Sequence, residues 1–156
     1  MLHIKYLLPD FTEQDAVDLA LQHYGLHATA CQLPGERDRN FYLQTDTGAE
    51  FVLKIANATE RREILDLQNQ AMQHLAERAP ALKIPRVYFN QDGDAIVTIT
   101  SREGATHFMR LLTYVPAKLF AHVKPHSPEL LRSLGRVLGE MNAALFDFNH
   151  PPRNAT

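Results

Sequence analysis

From residue 28 to residue 55 apolar side chains recur with a period of two, and the run is broken at Asp46, Thr47 and Gly48. A period of two puts alternate side chains on one face of a strand, and a glycine-containing tripeptide between two such runs closes them into an antiparallel hairpin. The chain must therefore build a sheet that includes strands at 40–45 and 50–56, with a third strand before them at 29–33.

Helical patterns flank this region. Thr12, with Asp15 three residues on, resembles a capping box, and Ala16, Val17, Ala20, Leu21 and Tyr24 follow at helical spacing up to Gly25. A helix over 12–24 is predicted. Ile64, Leu67, Ala71, Met72, Leu75 and Ala79 mark the apolar stripe of a second helix over 59–79, with Asn57 or Thr59 as its cap and Pro80 as its stop. Residues 86–90 and 95–100 read as two strands turning at Asp92 and Gly93, and 108–115 as a further apolar run ended by Pro116. Residues 117–125 read as irregular. Ser127 and Pro128 then start a last helix, whose face of Leu131, Leu134, Val137, Leu138, Met141, Leu145 and Phe148 carries it to about 148. Helix, three strands, helix, two or three strands, helix is the order of an α+β domain, here an antiparallel meander of about five strands with one helix inserted after the third.

With 156 residues and 45% hydrophobic content the chain has material for one core. Sixteen basic against eighteen acidic residues leave a net charge of -2, which lacks the basic footprint of a nucleic-acid binder. The single cysteine, Cys31, has no internal disulfide partner and reads as a small core residue. The first eight residues are too short an apolar stretch for a signal peptide before Pro9 and Asp10, and no segment reaches the roughly 20 apolar residues of a membrane span. A cytoplasmic protein with neither nucleic-acid nor membrane partners is expected. His122 and His126 are four apart, but Lys124 and Pro125 between them deny the helix that would bring both to one metal.

The residue that needs explaining is Lys54. It ends a run whose neighbours Phe51, Val52, Leu53 and Ile55 are all apolar, and charged groups are seldom buried without partners. Alternation alone makes it an outward lysine. Its place on the third strand, after a turn containing Gly35 and before a long helix, is also the place from which kinases grip nucleotide phosphates.

Five ordered segments, LPGERDRNF (33–41), FVLKIAN (51–57), LDLQNQAM (65–72), IPRV (84–87) and RLLTYVP (110–116), resemble the aminoglycoside phosphotransferase and choline kinase superfamily. Within it they are most similar to hydroxylysine-kinase-like proteins, some of which are fused to class III aminotransferases. The resemblance implies a protein-kinase-like N-terminal lobe over 1–115, a hinge or linker over 116–126, the first helix of a second lobe over 127–149, and a tail or truncation point over 150–156. It implies ATP as the bound nucleotide. Gly35, Arg37, Arg39 and Asn40 would form the loop over the phosphates, which is otherwise a solvated turn of mixed charge. Lys54 would position the phosphates and Val52 would line the adenine pocket. Gln68 would stand where relatives usually place a glutamate partner for the lysine, with Asp66 and Glu63 as nearby alternatives. Thr113, Tyr114 and Val115 would be the hinge that reads the base through its backbone, and Pro116 is followed here by Ala117 where relatives tend to carry glycine. Gly135 and Gly139 would permit close packing of the last helix.

Relatives need a catalytic aspartate in an H-G-D-type motif and a metal-binding aspartate in a D-F-x-D-type motif. This sequence has neither. The expectation is a nucleotide-binding lobe that is inactive alone, with magnesium used only in a complete protein. Its partners would be the missing lobe or a fused enzyme domain, with self-association through the exposed lobe surface as a further possibility. A non-catalytic module that contacts such an enzyme is the alternative.

Overall fold

A computed structural model of the chain describes residues 8–150; the leader reading for the first residues and the tail reading for 151–156 lie outside the described residues. Helix α1 (Glu13–Tyr24) opens with the expected capping box. The Thr12 hydroxyl accepts from the Asp15 N–H, and the Asp15 carboxylate accepts from the Thr12 N–H at 2.7 Å. Gly25 closes the helix with φ at 66°, where a side chain would be strained, and a Cβ there would lie 2.6 Å from the Gln91 amide nitrogen.

Strands β1 (Ala28–Leu33), β2 (Arg39–Thr45) and β3 (Glu50–Ile55) form an antiparallel run, and Gly48 takes φ 84° in the turn between β2 and β3. The chain then enters helix α2 (Arg62–Arg78), short strands β4 (Val87–Tyr88) and β5 (Val97–Thr100), and β6 (Thr106–Thr113). The spatial order is β1-β2-β3-β6-β4, with β5 also on β6. This is not the meander expected, because β6 inserts between β3 and the two strands that precede it.

The expected hairpin between 86–90 and 95–100 does not form either. Met109 is matched to Ile55 and to Val97, and Leu111 to Leu53 and to Tyr88, so β4 and β5 lie in line along the edge of β6 that faces away from β3. The turn signal itself was sound. The buried Asn90 side chain accepts from the N–H groups of Asp92 and Asp94, and Gly93 takes φ 87°. The turn makes an excursion and rejoins the same edge in the same direction. A turn dipeptide carries no information about which strand its flanks will pair with, and the long strand β6 offered both pieces an edge.

Alternation divides the sheet into two faces. Phe41, Leu43, Phe51, Leu53, Ile55, Met109 and Leu111 form the core with Ala16, Ala20 and Tyr24 of α1. The other face carries Asn40, Tyr42, Val52, Lys54, Arg110 and Leu112. Cys31, read above as a core residue, is exposed on β1 because its register partner is Tyr42, on the face that α1 does not cover.

Helix α2 starts three residues later than expected. Neither proposed cap acts as one: Asn57 Oδ1 accepts from the N–H and hydroxyl of Thr59, which sets a turn ahead of Arg62. Its buried residues are Leu65, Asn69 and Leu75, whereas Ile64 and Leu67 of the predicted stripe are exposed. Among the described residues no helix is long and apolar enough to cross a membrane.

The chain divides into two compact units, one of residues up to 66 with 87–114, the other of 67–86 with 115 onward. In the second unit a 3-10 turn (Phe120–His122) precedes helix α3 (Pro128–Ala144), capped by the Ser127 hydroxyl on the Leu130 N–H at 3.2 Å. The helix stops before the predicted 148. Phe146 and Phe148 donate three residues back, to Ala143 and Leu145, and Asp147 is drawn to His74 at 3.0 Å and into an ion pair with Arg78.

Because the strand faces are opposed so clearly, Leu53→Ala is expected to cost about 3 kcal/mol by opening a cavity, whereas Cys31→Ser should stay within about 0.5 kcal/mol. Urea denaturation midpoints of the two variants read the difference directly, and comparable losses would overturn the assignment of faces.

Candidate functional site

Register sets the face away from α1 out in rows. Asn40, Lys54 and Arg110 are directly matched across β2, β3 and β6, and Tyr42, Val52 and Leu112 form the next row. The period-two pattern therefore brings two cations side by side in the middle of a sheet. The Lys54 ammonium donates to Asn40 Oδ1 at 2.8 Å. Arg110 is only 4% exposed and donates from Nη1 to the Leu65 carbonyl at 3.3 Å, in the part of α2 that belongs to the sheet unit. Beside it Phe108 packs on Ala56, Leu65 and Ile96, and the Arg62 guanidinium lies 5.8 Å from the Phe108 ring centre.

Electrostatics on this row are strained by desolvation. Burial, the largest influence, and the neighbouring Arg110 charge push the Lys54 ammonium below its ordinary 10.5, while Asp38 pulls it back up. Arg110 is likewise lowered by burial and favoured by Asp38 and Glu60. The Asp38 carboxylate is therefore the anion that both cations feel. It is held by the Asn57 N–H, which donates to Oδ1 at 3.2 Å, and the Asn57 amide reaches back to the Arg37 carbonyl at 3.4 Å. The loop is tight at its other end too. A Cβ on Gly35 would lie 2.3 Å from the Asp38 carbonyl oxygen and 2.9 Å from the Asn40 amide nitrogen, so only glycine fits.

At the other end of the face Glu50 makes two bonds. Its carboxylate accepts a short hydrogen bond from the Tyr42 hydroxyl, and its carbonyl accepts from the Tyr114 N–H at 3.0 Å. The Tyr42 and Tyr114 rings meet edge to face at 5.0 Å. The bond to Glu50, more than burial, pushes the Tyr42 phenol up to about 12.

The structure thus brings together Gly35, Asn40, Val52, Lys54, Thr113 and Tyr114 in one unit, the last two at the end of β6 beside Glu50 and Phe51. Arg37 is exposed on the loop. Arg39 alternates to the side opposite Asn40 and donates to the Pro9 carbonyl at 3.0 Å. Gln68 is exposed on α2 and, like Val115, falls in the other unit. Arg110 was not singled out from the sequence, and Asn57, read there as a helix cap, instead holds the Asp38 carboxylate beside the row. Arg110 had a usable signal, a lone charge within an apolar β run, the same anomaly that drew attention to Lys54.

An antiparallel sheet of six strands with α1 on one face and two matched cations on the other is a kinase-like fold. The chain's likeness to solved structures bears this out: TM-score 0.74 at 14% identity to an amicoumacin kinase in complex with AMP-PNP, Ca2+ and Ami, over 90% of this chain and 42% of that one. A microcompartment-associated aminopropanol kinase aligns with TM-score 0.69 at 13% identity, over 90% of this chain and 43% of that one. The chain belongs to the phosphotransferase enzyme family, whose profile matches residues 29–155. Hydroxylysine kinases are among its relatives: 31% identical over 158 residues in Mus musculus, 29% over 154 in Bos taurus and 28% over 147 in Danio rerio. Each alignment covers 92% of this chain and 41% of the relative, so the chain spans about two-fifths of their length. The resemblance stated from the five segments holds.

Desolvation of Lys54 has a consequence for stability. The unfolded chain holds this proton more tightly than the folded one, so folding gains stability as pH rises toward the ordinary lysine range. Lys54→Met removes a buried cation and is expected to add about 1 kcal/mol at neutral pH, roughly 2–4 °C in melting temperature. The gap to wild type should narrow as pH approaches 10, as read by melting curves across pH, and a variant less stable than wild type at pH 7 would contradict it.

Proposed function

We propose that the chain is the ATP-binding lobe of a small-molecule phosphotransferase. The observation that carries the reading is the row Asn40, Lys54, Arg110: two desolvated cations with an oriented amide on the sheet face away from α1 suit a polyphosphate, which would restore the charge that burial takes away. Lys54 would hold the phosphates, with its orientation set by Asn40. The loop with Gly35 and Arg37 would lie over them. Val52 and Leu112 are apolar neighbours suited to a base, beside the backbone of Thr113 and Tyr114. Arg39, turned to the Pro9 carbonyl, supports the loop's strand and not the phosphates themselves.

Transfer to a small hydroxyl-bearing acceptor, as the hydroxylysine kinases' name indicates for them, would need a catalytic aspartate and a magnesium-binding aspartate that this sequence does not contain in the family's motifs. The isolated chain is therefore read as binding nucleotide without turnover, in the cytoplasm. The other half of the site would come from a second lobe or a fused enzyme domain, an aminotransferase included. Helix α3 has no buried residue, and Leu131, Leu138 and Phe146 are 50%, 55% and 92% exposed, which suits such docking. The same exposed face keeps open the reading of a non-catalytic module that contacts a partner enzyme or a second copy.

Calorimetric titration of the chain with AMP-PNP and magnesium is expected to give a dissociation constant of tens to hundreds of micromolar, about -5 to -6 kcal/mol. Lys54→Ala should weaken it at least about tenfold through loss of a charge-assisted contact. No binding heat by wild type, or an unchanged affinity in the variant, would refute the reading.

A further inference from the structure

The carboxylate of Asp38 is out of place in a loop read as covering phosphates. A fixed negative charge there should repel the ligand, and like charges across a binding site are a standard way to weaken it. The structure shows what it does instead. Asp38 is locked at its backbone by the close approach of Gly35 to its carbonyl, and at its side chain by the Asn57 N–H at 3.2 Å. Asn57, itself 5% exposed, fixes the loop a second time through the Arg37 carbonyl. Held this way at the entry to β2, two residues from the Asn40 that Lys54 contacts at 2.8 Å, the carboxylate sits by the matched pair Lys54 and Arg110 and favours their charged forms against burial.

Buried cations need an anion whether or not nucleotide is present, because an uncompensated charge in a desolvated position costs several kcal/mol. We propose that Asp38 is a built-in stand-in for a nucleotide phosphate: in the nucleotide-free chain it balances Lys54 and Arg110, and a bound polyphosphate takes over that role against its repulsion. Asp38 is thus a positioning residue that keeps the phosphate row ordered while empty and discounts the affinity for phosphate-bearing ligands, but not for a nucleoside that carries no phosphate. The inference rests on the nucleotide-binding reading above and deepens it.

Two substitutions separate charge from architecture. Asp38→Asn removes the charge but keeps an oxygen that accepts from the Asn57 N–H, whereas Asp38→Ala removes both. A stand-in for phosphate predicts that both variants melt lower than wild type without ligand, and that both bind AMP-PNP and inorganic pyrophosphate more tightly, about tenfold for the asparagine variant. Adenosine affinity should be unchanged in both. The expected sign is unusual, since loss of a residue in a binding loop normally weakens binding. Unchanged or weaker AMP-PNP binding by Asp38→Asn would overturn the inference, as would a gain for adenosine equal to that for AMP-PNP. A gain confined to Asp38→Ala would also overturn it and make Asp38 a loop anchor only. Wild type failing to bind AMP-PNP is a different result, which defeats the nucleotide reading itself.

Discussion

Two cations side by side in the middle of a sheet are the constraint on which the rest of the molecule turns. Lys54 and Arg110 are matched across β3 and β6, and each loses water on folding. Sheet hydrogen bonding alone would not choose this arrangement, because adjacent like charges on one face of a pair are destabilising. The groups around them are accordingly all suited to positive charge: the Asn40 carbonyl oxygen on Lys54, the Leu65 carbonyl on Arg110, and the Asp38 carboxylate acting on both. Remove this set and the face would be an ordinary apolar strand surface, as the next row, with Val52 and Leu112, already is.

The opposite face supplies the stability that tolerates such a row. Phe41, Leu53, Ile55, Met109 and Leu111 alternate with the polar residues of the same strands and pack under α1, which the Thr12 capping box starts and Gly25 ends. Each of β2, β3 and β6 thus carries core on one side and chemistry on the other. A one-residue slip would exchange the two completely, so the register is as strongly specified as the core is apolar. The crossing of β6 into the sheet between β3 and β4 matters for the same reason: it is the step that brings Arg110 beside Lys54, and it requires the chain to pass through α2 and the interrupted edge strand first.

Local signals in the sequence carried the elements and failed on their pairing. The capping box, the β2–β3 turn and the Asp92, Gly93 turn were all legible, because each depends on side chains or φ values within a few residues. The meander, the second hairpin and the caps of α2 were not, because they depend on which distant strand or loop competes for the same groups. Asn57 shows this plainly. Its sequence position suits a helix cap, but its N–H and amide are taken by the loop 19 and 20 residues earlier, and its side-chain oxygen by Thr59. Cys31 erred for a related reason, since burial statistics for cysteine know nothing of which face of β1 is covered. Lys54 was found because a charge in an apolar strand is a local anomaly. Arg110 is the same anomaly, and only register makes the two of them one site.

The two ends of the face away from α1 differ in how they are held. At the Tyr114 end Glu50 ties Tyr42 with its side chain and Tyr114 with its backbone, so the last residue of the sheet unit is fixed by bonds within that unit. Bonds of this kind are satisfied within the sheet unit, and breaking them would leave a carboxylate unpaired. At the Lys54 end the balance is electrostatic and borrowed from a loop whose geometry tolerates only glycine at position 35. One end of the face is therefore fixed by hydrogen bonds and the other is balanced by charge. Under the nucleotide reading proposed above, binding energy gained at the rigid end would not be spent on ordering it, and the exchange of Asp38 for phosphate would set how far the row of Asn40, Lys54 and Arg110 favours a polyphosphate.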